Sequence, residues 1–370
     1  MEKLRSRSKP GFRVNIGEHA IVIALILFWA ILFFSNSAFG KFSIYATIIK
    51  EASIYAVCGI GMTYAIISGA FDLSVASQIA LGSVVFTAVL PVISPGKPGQ
   101  AILLSCLVVI LLGLAMGLVN GLLIAKLRIP AFIATLAMQN VYRGLAQLVN
   151  DSPVSIASLG KEYLAFSSGA NKAVQVYFGS FQLLYIKGLA FTKILGLPLF
   201  FYLMVVLAIA GTVILRKTKL GRNILAIGNS PEAAHIAGIN IPRTQISIYV
   251  LVGLFTSLTA LMMTANQGSS NYGVPTGTEF TVISAVVLGG TALVGGLGSI
   301  FNTVVASAFI ATIATALTTF GVNNNAHGIF RGIILVLAFS INTLRELLSN
   351  FTVKRRAQKN VKLSATQKAG

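Results

Sequence analysis

The chain has 370 residues, 55% of them hydrophobic and only 10% charged, with a mean hydropathy of +0.84. Soluble domains carry about 25% charged residues, so a water-soluble fold is excluded and a bilayer is the expected solvent. The formal net charge is +19, yet the placement of the basic residues argues for membrane topology rather than nucleic-acid binding.

A basic tail, 1–19, carries Lys3, Arg5, Arg7, Lys9 and Arg13. Ala20 to Phe39 follows it and mimics a signal peptide, but its length exceeds a usual signal core, so it reads as an uncleaved anchor. Further apolar segments fall at 53–69, 72–93, 100–125, 131–149, 197–216, 244–265, 279–296, 299–320 and 328–346, within a transmembrane domain of 20–346. A second basic tail, 347–370, carries Lys354, Arg355, Arg356, Lys359 and Lys362. The expected fold class is an all-α polytopic membrane protein with about ten transmembrane helices, some broken or re-entrant. An even number of spans with two basic ends puts both termini in the cytoplasm.

The connections fit that orientation as a bias. Lys126 with Arg128, and the stretch from Lys217 to Arg243, make two expected cytoplasmic loops basic, whereas the expected outer loops at 266–278 and 321–327 lack Lys and Arg. Lys41, Lys50 and Lys97 fall in expected outer loops, and the long outer loop 150–196 holds Lys161, Lys172, Lys187 and Lys193. Cys58 and Cys106 lie inside apolar spans and read as small packing residues.

Three places break the apolar pattern: Ser68 to Asp72, Leu127 to Pro130, and the glycine-rich run Gly289 to Gly298. Irregular backbone at membrane depth persists only where protein buries it or where it lines a cavity, so these breaks point to a pathway. The segments 60–83 and 278–298 share a loose pattern of apolar and small residues around a glycine turn.

Ionisable groups inside spans are few: Asp72, Arg143, Glu279 and Arg331. Asp72 reads either as a polar group on the pathway or as the N-cap of the third span. Arg143, Glu279 and Arg331 read as interfacial or as an interhelix pair. Phe71, Phe132, Tyr142 and Phe280 stand near the breaks. His19, His235 and His327 are dispersed, no phosphate-binding loop is present, and Gly160-Lys161 is followed by Glu162. Hence no enzyme, metal or cofactor is suggested, and any ATP must be hydrolysed by another chain.

The polar segment Leu220 to Gln245, within a loop of 217–245, is longer than a turn requires. Asn229-Ser230-Pro231-Glu232 reads as a helix start with Ser230 as N-cap and Pro231 at the first position, and Gly238 suits the C-terminal cap. A helix of about two turns is expected, exposed on the cytoplasmic side, with an amphipathic interfacial helix as the alternative.

GRNILAIGNSPEAAHIAGIN in this segment resembles the cytoplasmic coupling segment of ribose-type ABC importer permeases. Gly69-Ala70-Phe71-Asp72-Leu73-Ser74-Val75-Ala76 resembles that family's "GGIDLSVG", with Ala70 and Ala76 in place of glycines and Phe71 in place of Ile. Pro130 to Leu136 followed by Tyr142-Arg143-Gly144-Leu145 is similar to "PAFIATLG…YRGL", and Ala285 to Thr291 with Gly295 to Gly298 is similar to "AVVLGGTSLAGGKG". The four motifs occur in order between about residues 50 and 345. Loop 150–196 is long for such permeases.

The resemblance implies a permease subunit in a bacterial inner or cytoplasmic membrane. Its implied partners are a second permease copy or homologue, a cytoplasmic ABC ATPase, a periplasmic or lipid-anchored solute-binding protein and membrane lipid. The implied cargo is a monosaccharide, a ribose-like pentose or a hexose. A nucleoside, a branched-chain amino acid or a furanosyl signalling molecule stays open, as does a stand-alone secondary transporter. The candidate pathway or gate residues are Phe71, Asp72, Ser74, Thr135, Tyr142, Arg143, Gly289, Gly290 and Thr291. The candidate ATPase-coupling residues are Gly228, Asn229, Ser230, Pro231, Glu232, Ala233, Ala234 and Gly238.

Overall fold

The computed structural model describes residues 16–160, 163–167, 174–178, 181–186, 193–273, 276–323 and scattered positions between 326 and 340. Most of the basic tails, Arg331, His327 and much of the expected span 328–346 lie outside the described residues.

Helix α1 covers Ile16–Ser35, α2 Phe42–Ile67, α3 Val75–Val89, α4 Pro98–Ala125 and α5 Ala131–Val149. Two single-turn helices, α6 (Ile156–Leu159) and α7 (Leu164–Ser167), begin the long loop. Then come α8 (Leu199–Lys217), α9 (Lys219–Asn229), α10 (Pro231–Ile236), α11 (Ile241–Gln267), α12 (Thr278–Leu288) and α13 (Ile300–Thr319). Five of these, α2, α4, α8, α11 and α13, are long and apolar enough to cross a membrane, and α1, α3 and α12 are shorter apolar helices. Large apolar side chains stand exposed along them, among them Ile31, Leu107, Leu111, Val206 and Ile209. Exposed apolar surface on this scale is stable against lipid rather than water.

Helix α2 is the hub. It is buried on every side along its second half, from Ala52 to Ile67, apart from Tyr55, which is only partly buried. Around it pack α8, α11, α12 and α13. Close approach is set by small residues. Gly113, Gly117 and Gly121 recur every four residues along one face of α4, against α11. A Cβ on Gly117 would overlap the Tyr249 carbonyl, and one on Gly253 would overlap the Gly113 carbonyl. This small-residue stripe lets the two backbones touch, which is how membrane helices gain packing where lipid supplies no hydrophobic drive.

The boundaries correct the sequence reading in three places. The second span starts at Phe42 rather than 53, so Lys50 and Glu51 sit inside α2 instead of in an outer loop. Spans three and eight are shorter than their apolar runs: α3 has 15 residues and α12 has 11. The polar segment after α8 is two helices rather than one, because Thr218 caps α9 by accepting from the Gly221 amide at 3.3 Å. The loop 150–196 is partly structured. Its two-residue strand β1 (Val154–Ser155) pairs with the segment Ser269–Ser270 after α11, and Phe166 stacks on Phe86 of α3 with centroids 4.3 Å apart. Beyond it, β2 (Val174–Phe178) and β3 (Phe181–Ile186) form an antiparallel hairpin.

Candidate functional site

The break between α2 and α3 is organised by Asp72, which is fully buried. Its Oδ1 accepts from the Ser74 amide at 2.8 Å and from Ser74 Oγ at 2.6 Å. Its Oδ2 accepts from Gln78 Nε2 at 3.2 Å and Asn120 Nδ2 at 3.1 Å. Ser74 Oγ in turn accepts from Gln78 Nε2 at 2.8 Å and Asn120 Nδ2 at 2.9 Å. Asn120 Oδ1 takes the Tyr142 hydroxyl at 3.0 Å. All four donors to the carboxylate are neutral, and both its oxygens are filled. A carboxyl group at this depth is tolerated only with this degree of hydrogen bonding. The network ties the break to α3, α4 and α5. Ser74, not Asp72, stands at the N-cap position of α3.

Of the nine expected pathway residues, Asp72, Ser74 and Tyr142 therefore meet in one cluster. Phe71 joins through its carbonyl, which accepts from the Tyr249 hydroxyl at 2.9 Å. Thr135 is buried and bonds to the Ala131 carbonyl of its own helix at 2.8 Å. Arg143, half-buried on α5, donates to the Tyr272 carbonyl. Gln139, one turn before it, donates to Glu279 Oε1 at 3.4 Å. Glu279 is 3% exposed, and its Oε2 has no hydrogen-bond partner among the described residues. Gly289, Gly290 and Thr291 form the turn that ends α12, against the start of α13.

Sequence reasoning missed Asn120 and Gln78, which complete the Asp72 network. The signal was present: Gln78 is the one amide side chain of α3, and Asn120 lies deep in the apolar run of α4. Glu51, whose Oε1 accepts from Asn266 Nδ2 at 2.8 Å, was missed because its helix was started too late.

The third break lies beside the first. The Gly296 amide donates to the Ile67 carbonyl at 2.8 Å, so the glycine-rich loop closes on the last residue of α2. The end of α9 enters the same junction. A Cβ on Gly228 would overlap both the Ile67 carbonyl and the Gly296 amide, and one on Gly296 would lie 2.6 Å from Asn229 Oδ1. Three backbone segments thus meet at Gly228 and Gly296, with the Asn229 side chain packed against Gly296.

Helix α10 projects from this junction. Ser230 caps it by accepting from the Ala233 amide at 3.2 Å, with Pro231 at the first position. Its end is a Schellman turn: the Gly238 amide reaches the His235 carbonyl at 3.0 Å and the Ile239 amide reaches the Ala234 carbonyl at 3.0 Å. Of its coupling residues, Glu232 and Ala233 are exposed and Ala234 faces inward. Ile236 is 86% exposed, an apolar residue that the sequence reading did not single out.

Residues 44–339 match the family described as branched-chain amino acid transport system / permease component. The chain belongs to this permease family. The permease is 30% identical to the galactose/methyl galactoside import permease protein MglC of Salmonella typhimurium over 91% of this chain and 97% of that protein. It is 30% identical to the ribose import permease protein RbsC of Escherichia coli over 89% of this chain and 94% of that one. It is 34% identical to the probable ABC transporter permease protein YphD of Escherichia coli, over 89% and 91%. No solved structure matches. As a multi-pass membrane permease, the protein is a translocation component rather than an enzyme.

Proposed function

We propose that this permease forms the membrane pathway of an ATP-driven importer for a monosaccharide. It works with a second permease copy or homologue, a cytoplasmic ABC ATPase and a solute-binding protein, in a bacterial inner or cytoplasmic membrane. The observation that carries the reading is the junction of Gly228, Ile67 and Gly296. A displacement of α10 by an ATPase acts on α9, and at this junction α9 bears directly on both helix breaks. Packed elements transmit such a push as a switch between arrangements, not as a gradual deformation. The exposed face of α10, with Glu232, Ala233, His235 and Ile236, is the docking surface in this scheme. The breaks near Asp72 and Gly289 to Gly298 border the pathway.

Sugar is favoured as cargo by relatives named for ribose and galactose import at 30% identity over nearly the whole chain. Branched-chain amino acids are the second reading, because the family description names them. Proteoliposomes containing the permease, its ATPase and its binding protein should import radiolabelled ribose or galactose when ATP is supplied, and leucine should not enter. Uptake by the permease alone on an ion gradient would sink the ABC reading, and uptake of leucine but of neither sugar would replace the cargo.

A further inference from the structure

We propose that the place where α5 meets α12, at Glu279, Gln139 and Arg143, is a hydroxyl-binding station for the sugar in transit. The inference rests on the monosaccharide reading above and deepens it. It starts from a contrast between two buried carboxylates. Asp72 has both oxygens filled by donors, whereas Glu279, 3% exposed, has a buried Oε2 without a partner among the described residues. An unfilled acceptor at that depth is costly unless something fills it.

Arg143 does not fill it. The guanidinium sits close enough to feel the Glu279 charge, yet it spends a donor on the Tyr272 carbonyl, and no direct ion pair joins the two side chains. Gln139 engages only Oε1, at 3.4 Å. Among the described residues one carboxylate oxygen thus lacks a side-chain donor, beside the Arg143 guanidinium and near the backbone amides of Gly277 and Glu279. A vicinal diol matches this pattern, donating from one hydroxyl to Glu279 and accepting at the other from Arg143.

Depth supports the assignment. Gln139 lies about 12 Å along α5, a helix about 28 Å long. Helix α12 has 11 residues, about 16 Å, roughly half the thickness of a bilayer core, with Glu279 in its first turn. Charged groups near the midplane mark transport pathways, and transporter sites are commonly built at the ends of such half-helices. The surroundings are partly open: Gln139 and Arg143 are half-buried, Asn140 and Gly144 are exposed beside them, and Phe280 is 47% exposed, offering an apolar ring.

The test uses the complete transporter in proteoliposomes, with the binding protein saturated by ribose, galactose or their 2-deoxy analogues, so that discrimination reflects the permease. Glu279→Gln should lower ATP-driven uptake of the hydroxylated sugar by about tenfold or more, while binding-protein-stimulated ATP hydrolysis persists. The wild-type preference for a hydroxylated sugar over its deoxy analogue should shrink in both Glu279→Gln and Gln139→Ala. Wild-type rates and ratios in both variants would overturn the station. Where Glu279→Gln lowers the thermal stability of the complex, the half-buried Gln139→Ala decides: an unchanged ratio there overturns the proposal. Wild-type protein that imports no sugar of the panel removes the monosaccharide reading beneath it, a result distinct from import by unaffected variants.

Discussion

Asp72 shows how one residue holds several elements together. Ser74 Oγ, Gln78 and Asn120 each spend their donors on it or on one another, and Tyr142 closes the far side. Asp72→Asn is a small change in shape but replaces an acceptor with a donor. With Oδ1 kept on Ser74, the new NH2 group faces the amide donors of Gln78 and Asn120. We expect Asp72→Asn to cost about 1–3 kcal/mol, read as a lower melting temperature in detergent together with reduced transport. Wild-type stability in that variant would show that the network is dispensable. Asp72 itself was legible in the sequence as a lone carboxylate at a break. Its partners were not, because a search for ionisable groups passes over amides, and only the packing of α4 on α3 brings Asn120 to it.

At the scale of elements, the segment α9–α10 is decided by its caps and by one glycine. Thr218, Ser230 and Asn240 each accept from a backbone amide at a helix start, with the Asn240 contact to the Arg243 amide at 3.0 Å. Two successive caps explain why α9 precedes the one expected helix, α10: each lets the chain turn without orphaned amides. Gly228 is required because backbone occupies the space a side chain would fill. Gly228→Ala should lower the melting temperature of the complex and lower ATP-driven uptake roughly two- to thirty-fold. Gly40→Ala, where a Cβ meets nothing within 4 Å, is the neutral control. Equal uptake by the two variants would show that the junction transmits nothing.

Across the whole molecule, α2 is a buried axis with two interrupted elements at its end, and α4 and α11 lock the other side by glycine contact. Gly117→Val forces those backbones apart. The expected penalty is at least about 1–3 kcal/mol, a melting temperature lower by about 2–4 °C for each kcal/mol. An unchanged melting temperature would mean that α4 is free to shift without cost.

Composition alone determined that the chain lives in a bilayer, and apolar runs located the helices, because water does not tolerate this much apolar surface and lipid does not tolerate unpaired backbone. The caps of α10, Ser230 and Gly238, were equally readable, since capping is local chemistry. Only the tertiary structure decided that the runs 72–93 and 279–296 contain short helices ending at breaks, because hydropathy measures transfer to lipid and not backbone continuity. It alone brought Gly296 to Ile67 and Gly228 to both, contacts between backbone atoms that leave no trace in sequence beyond a glycine. It alone separated a satisfied carboxylate at Asp72 from a half-filled one at Glu279. Their surroundings come from helices distant in the chain, and sequence spacing carries no record of that.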